Sequence, residues 1–273
     1  MVLQRKTFAL FFFLFISIYT AKACAVLYYV DSASGKIYVA NNEDYWYDTK
    51  AYIQIEPKSK QGLARLWYGW KDFAQGGVNE AGLFFDGAVT PEQKIPKTFK
   101  KIKGNLGDDI LANCTTVDEA IAYLEKRKIG LKNAHMMFGD ATGNAAVIEW
   151  VDGQQKIIKI ANNRLIMTNF LLADSNKAGH SCPRYDAIQK EIERFEKEET
   201  SIDLLTIGNT MARAVQVPQQ NKDGKTGGTL YTSFINITDM EFVLVYKLDN
   251  TKITKLVLKS EFQKSKKRKI ELL

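Results

Sequence analysis

The chain changes its local pattern four times, and that order limits its fold more than any single motif does. Short runs rich in β-branched and aromatic residues come first, at 25–30, 36–40, 51–55, 64–70 and 83–88. Turn-forming residues such as Asp31, Ser32, Ser34 and Gly35 separate them, as expected of strands joined by tight connections. A helical pair follows. It comprises 107–113 and a longer helix in which Thr116 and Glu119 form a capping box ahead of the apolar stripe Val117, Ala120, Ile121 and Leu124. Strand patterns return at 134–139, 145–150, 156–160 and 164–168. Pro183 then opens a helix with the stripe Tyr185, Ile188, Ile192 and Phe195, and Ser201 is the expected cap of a second helix running to about 215. Three runs at 229–236, 241–247 and 252–258 read as an antiparallel meander. Strands, helices, strands, helices, strands is an α+β layout with antiparallel sheets packed between helices. No repeat or low-complexity linker divides it, so one domain is expected.

The first 23 residues follow a different logic. Arg5 and Lys6 precede an apolar run over 8–19, and Ala21 and Ala23 form an A-x-A site. These are the three parts of an export leader, and the run is too short to span a bilayer comfortably. Cleavage after Ala23 would place the protein in the periplasm or outside the cell, without stable membrane insertion, and would make Cys24 its first residue. Retention of the segment as an anchor is the alternative. Lipid attachment at Cys24 is disfavoured, because Ala21 and Lys22 stand where such sites carry a leucine-like and a small residue.

A terminal cysteine carries a thiol and a free α-amine together. The thiolate is the nucleophile, with a free pKa of about 8.5. The α-amine, at about 7.7–8.0, is partly unprotonated near neutral pH and can serve as base for its own side chain. No histidine is required, which suits a chain whose only two are His135 and His180. A hairpin over 25–40 would bring Asn41, Asn42, Glu43 and Asp44 back towards Cys24, and Asp44 is the candidate partner for the amine. Asn169, just past an apolar strand, could aim its amide into a cleft as an oxyanion donor. Arg184 sits at a helix start, where the dipole disfavours a cation, which hints at a specific partner. Trp67, Tyr68 and Trp70 are either packing residues or the wall of an apolar acyl pocket.

The remaining signals exclude rather than specify. Cys24, Cys114 and Cys182 make an odd number, so at least one free thiol is expected. Cys114 and Cys182 could pair or stay free. No Cys/His spacing suggests a metal site, and no cofactor is implied. The net charge is +7 from 38 basic and 31 acidic residues. Three of the cations, Arg5, Lys6 and Lys22, sit in the leader and five between Lys264 and Lys269, so the body between is near neutral. The basic stretch over 263–273 is expected to be a solvated tail, with no nucleic-acid role.

Taken together, the segments resemble the choloylglycine hydrolase family of linear-amide C–N hydrolases, which includes bile salt hydrolases and penicillin V acylases. The resemblance covers Cys24 to about Tyr246 in short patches. The family's nucleophile falls on Cys24. Its R-N-x-D stretch falls on Asn41, Asn42, Glu43 and Asp44, so its aspartate carries to Asp44 while its arginine is replaced by Asn41. Its glycine turn falls on 77–83. Its first oxyanion asparagine falls on Val89, whose side chain cannot donate. Its D-x-T-G turn falls on Asp140 to Gly143, with Val147 and Glu149 beyond. Its L-T-N falls on Met167, Thr168 and Asn169, its S-R-F on Pro183, Arg184 and Tyr185, and its T-x-Y-T-S on Thr229 to Ser233. The resemblance implies a four-layer αββα sandwich over 24–262 and a cysteine N-terminal-nucleophile hydrolase acting on a small N-acyl amide. Cys24, Asp44, Asn169 and Arg184 would be its site residues. It also implies two alternatives: an acyltransferase of the acyl-CoA:6-aminopenicillanate type, and an exported binding protein that kept the fold.

Overall fold

In the computed structural model, residues 24–174, 182–198 and 201–273 are described. The expected leader over 1–23 and His180 lie outside them. Two antiparallel sheets stack face to face. The first has the order β10-β1-β2-β12-β13-β14, with β11 (Gln219–Gln220) also paired to β12. Its strands are β1 (Ala25–Val30), β2 (Ile37–Trp46), β10 (Arg164–Met167), β12 (Thr226–Asn236), β13 (Glu241–Tyr246) and β14 (Ile253–Val257). The second runs β15-β3-β4-β5-β6-β7-β8-β9. It comprises β3 (Tyr52–Glu56), β4 (Arg65–Trp70), β5 (Phe73–Asn79), β6 (Phe84–Val89), β7 (Ala134–Gly139), β8 (Ala145–Val151), β9 (Gln154–Lys159) and β15 (Arg268–Glu271).

Helices α1 (Leu106–Asn113) and α2 (Val117–Lys126) cover the outer face of the second sheet, and α3 (Pro183–Lys197) and α4 (Leu204–Ala212) cover that of the first. A short α5 (Leu258–Phe262) follows β14. The expected four layers, helix, sheet, sheet, helix, are therefore present.

The period-two alternation of the strands builds these layers. In β1, Val26 and Tyr28 face the core between the sheets, while Leu27 and Tyr29 face α3 and α4. In β2, Ile37 and Val39 face inward and Tyr38 and Ala40 outward. Apolar residues on both faces explain why the central strands read as continuous hydrophobic runs. The sheets approach closely where β1 crosses β7. A Cβ on Gly139 would lie 2.2 Å from the Tyr28 ring, and the Tyr28 hydroxyl donates to the Asp140 carbonyl at 2.6 Å.

Three expectations need correction, and one question left open is answered. The stretch 76–83 reads in the sequence as a glycine-punctuated turn, but Gly76 and Gly77 lie inside β5, and the turn is 80–82. Glycine occurs in this strand because a Cβ at Gly76 would lie 2.1 Å from the Asp86 carboxylate. Asp203, not Ser201, caps α4, accepting from the Thr206 N–H at 2.8 Å. Of the two readings left open for Cys114 and Cys182, both thiols are free; Cys114 is packed beneath α1 and α2, whereas Cys182 stands just before α3 without capping it through its side chain. The basic stretch is not a solvated tail. Its residues Arg268 to Glu271 form β15 on the edge of β3. Arg268 and Lys264 pair with Glu261, Lys267 pairs with Glu56, and Leu272 is buried. Acidic partners and an apolar anchor convert a charged run into an edge strand.

Candidate active site

The site assembles where β1 begins. Ala25 is registered against Asn42 of β2, so Cys24 falls opposite Glu43. Alternation then sorts the polar run of β2 between two faces. Asn41 and Glu43 point between the sheets; Asn42 and Asp44 point towards the helices. Asn42 donates to the Met211 carbonyl of α4 at 2.9 Å, and Asp44 meets α3.

Asp44 is fully buried and holds two partners. The Thr229 hydroxyl donates to its Oδ1 at 2.5 Å, and Arg184 Nη1 donates to its Oδ2 at 3.1 Å. Burial nevertheless pushes its carboxyl up to about 7, against the opposing pull of Thr229 and Arg184. A register shift in the β2–β12 pairing between Thr229 and Tyr231 places Thr229 beside Asp44. The same hydroxyl accepts from the Gln216 N–H at 2.8 Å.

Arg184 ties the site together. Besides Asp44, it donates to the Cys24 carbonyl at 3.1 Å and to Asn169 Oδ1 at 2.9 Å. Asn169 Nδ2 donates in turn to the Val89 carbonyl at 2.8 Å. Cys24, Asp44, Asn169 and Arg184, the four expected site residues, are thus brought into one network. Their roles differ in detail from the sequence reading. The guanidinium is occupied by two side chains and the Cys24 carbonyl rather than aimed at the sulfur. Asn169 is oriented by Arg184 and Val89, with one N–H of its amide left without a partner among the described residues. Val89 meets the site through its carbonyl, which cannot donate.

The Cys24 thiol faces the space between the sheets. It approaches Glu43 Oε1 at 3.5 Å. Burial pushes the thiol well up; Glu43, Asp44 and Asp86 push the same way, and the Asp44 backbone N–H opposes them. The resting group is therefore a neutral thiol that needs a base to become a nucleophile.

His135 cannot be that base, because both its ring nitrogens are engaged. Nδ1 lies 3.0 Å from Glu149 Oε2, and Nε2 lies 2.6 Å from the Thr168 carbonyl. Glu149 also accepts from the Leu172 and Ala173 N–H groups at 3.1 and 2.6 Å. This buried pair reaches from β7 and β8 to the segment after β10 and fixes the backbone that carries Asn169. Of the aromatic trio, Trp67 packs under the helices and Tyr68 between the sheets. Trp70 is stacked on Tyr45, centroids 4.5 Å apart. Glu43, Thr229 and Asp86 escaped the sequence reading as site residues. The alternation of 41–44 was the available signal for Glu43. Among the described residues, no cluster of three or more His, Cys, Asp or Glu could hold a metal ion.

The fold defines a class by its architecture: an αββα sandwich of two antiparallel sheets between helical layers. The conjugated bile acid hydrolase from Clostridium perfringens shares this fold at a TM-score of 0.70, with 17% identity over 90% of this chain and 96% of that one. Penicillin V acylase from Agrobacterium tumefaciens gives 0.70 and 17%, covering 90% of each chain. The N-acylethanolamine-hydrolyzing acid amidase orthologue from Caenorhabditis elegans gives 0.54 and 13%, covering 79% and 93%. The chain belongs to the acyl-coenzyme A:6-aminopenicillanic acid acyl-transferase family, whose model matches residues 30–251, within the wider choloylglycine hydrolase-like group. Penicillin V acylase from Pectobacterium atrosepticum is 32% identical over 136 residues. That match spans 42% of this chain and only 36% of the relative.

Proposed function

We propose that the protein is an exported cysteine hydrolase that cleaves the linear amide C–N bond of a small N-acyl compound. The observation that carries this reading is the network around the start of β1. Arg184 holds the Cys24 carbonyl, Asp44 and Asn169 at once.

Removal of residues 1–23 converts the Cys24 nitrogen from an amide into an amine. That amine takes the thiol proton, directly or through a water, and Asp44 orients it. The thiolate adds to the substrate carbonyl, and the developing oxyanion is met by the free N–H of Asn169 and a backbone N–H. The ammonium then protonates the leaving nitrogen, the C–N bond breaks, and an acyl-thioester remains on Cys24. Water, deprotonated by the same amine, releases the acid and regenerates the thiol. A buried thiol held well above its usual range gains most from a base on its own residue. The penicillin V acylase and bile acid hydrolase relatives support an N-acyl amide as substrate. The family's name favours one second reading, in which an amine or thiol acceptor replaces water and the acyl group is transferred.

The test is hydrolysis of a panel of N-acyl amides by protein whose first residue is Cys24, with Cys24→Ser as control. Equal rates for the two would refute the mechanism. Product formation that depends on an added amine or thiol would select the transferase reading.

A further inference from the structure

Beneath the nucleophile lies a polar island that the mechanism above leaves unused. Asn41 and Glu43 from β2, Tyr231 and Ser233 from β12, Tyr68 from β4 and Asp86 from β6 are all buried between the sheets. The Ser233 hydroxyl donates to Asn41 Oδ1 at 2.8 Å, and the Tyr68 hydroxyl donates to Asp86 Oδ2 at 3.0 Å. Gly76 supplies the space, since a Cβ there would collide with Asp86 and Tyr68. Among the described residues, Glu43 Oε2 has no hydrogen-bond partner, whereas the Tyr68 hydroxyl, the Gly87 N–H and the Asn41 amide oppose the burial of Asp86.

Glu43 thus presents one oxygen to the Cys24 sulfur, at 3.5 Å, and leaves the other empty. The groups acting on it are Cys24 just before β1, Asp44 beside it on β2, Asp86 from β6, and the hydroxyls of Tyr68 and Tyr231. An ionised carboxylate with an empty oxygen in such a place is more costly than a neutral acid. Two carboxyls sharing one desolvated pocket do not both ionise. Burial, then each nearby carboxylate, pushes Glu43 well up, and burial does the same for Asp86.

We propose that Glu43 is a second catalytic residue: a neutral carboxylic acid that donates its O–H to the Cys24 sulfur whenever that sulfur carries negative charge. The inference rests on the reading of Cys24 as the nucleophile. At rest the thiol donates to Glu43. Once the α-amine has taken the thiol proton, the carboxyl turns its O–H onto the thiolate. The S–C bond forms at the carbonyl and the charge leaves the sulfur. On collapse of the thioester the departing thiolate receives the same hydrogen bond, then recovers its own proton from the ammonium. The Glu43 proton never leaves Glu43, so the cycle balances. The donor lasts only while Glu43 keeps its proton; an ionised Glu43 would repel the thiolate instead.

Alkylation by iodoacetamide, read at Cys24 by peptide mass, tests this without any substrate. The proteins are wild type, Glu43→Gln and Glu43→Ala, each beginning at Cys24, at about pH 7.5, where part of the α-amine is unprotonated. Glutamine keeps a donor that cannot ionise. The Glu43→Gln rate should stay within about threefold of wild type, and Glu43→Ala should lose about tenfold. A Glu43→Gln rate about tenfold or more above wild type would show that wild-type Glu43 is a repelling anion and overturns the proposal, even if the alanine variant fails to fold. Failure of the underlying reading looks different: Cys24→Ala would still hydrolyse N-acyl amides, whatever the alkylation rates.

Discussion

Replacing Arg184 by Gln removes the one side-chain cation among the described residues that touches Asp44, and the structure gives both a rough size and a pH dependence for the loss. Three hydrogen bonds go: to the Cys24 carbonyl, Asp44 and Asn169. Breaking a buried ion pair costs about 3–5 kcal/mol. The Arg184 side chain is 20% exposed and Asp44 fully buried, so partial solvation reduces this to about 2–3 kcal/mol. Asp44 also has an escape, because its folded value is already about 7. That lies above the unfolded value of about 3.9. The group's contribution to stability is therefore fully present below about pH 4 and is lost as pH rises through about 7. Without Arg184 the carboxyl moves higher still, so the loss continues beyond the point where it ends in wild type. Between about pH 6 and pH 8 the destabilisation by Arg184→Gln should grow by roughly 1 kcal/mol. Urea unfolding followed by tryptophan fluorescence at both pH values measures it. A constant difference, or one that shrinks at the higher pH, would show that Arg184 does not act on an ionised Asp44.

Three further outcomes are expected. His135→Gln removes the buried hydrogen bond to Glu149 and should cost about 1–3 kcal/mol; a loss below about 0.5 kcal/mol in urea unfolding would contradict the tether to the Asn169 segment. Gly76→Ala drives a methyl into the Asp86 and Tyr68 side chains and should destabilise by about 1–3 kcal/mol; a neutral result in the same assay would mean that the island yields freely. Deleting 264–273 strips β15 from the edge of β3 and should lower the melting temperature by several degrees; an unchanged melting curve would restore the reading of these residues as a solvated tail.

Much of this architecture could be read from the chain because alternation and caps are local. Val26 and Tyr28 against Leu27 and Tyr29 state a strand buried on both faces, and Thr116 marks where α2 begins. Expectations failed where distant residues decide. Gly76 reads as a turn until Asp86 stands across from it. Arg268 and Lys269 read as solvated until Glu261 and β3 receive them. The site was legible as a set of four residues through a family resemblance. The direction of each contact was not, since only the register of β1 on β2 turns the Cys24 thiol towards Glu43 and leaves Asp44 to Arg184. Thr229 meets Asp44 through a shift in strand pairing that no short-range pattern announces.

The central claim is that the Cys24 sulfur carries the acyl group. Acid quenching of turnover with an N-acyl amide, followed by mass measurement of the N-terminal peptide, tests it most directly. The account predicts a peptide that begins at Cys24 and is heavier by the acyl group, and no such adduct in Cys24→Ala. Continued turnover by Cys24→Ala, or active protein still carrying residues before Cys24, would contradict it.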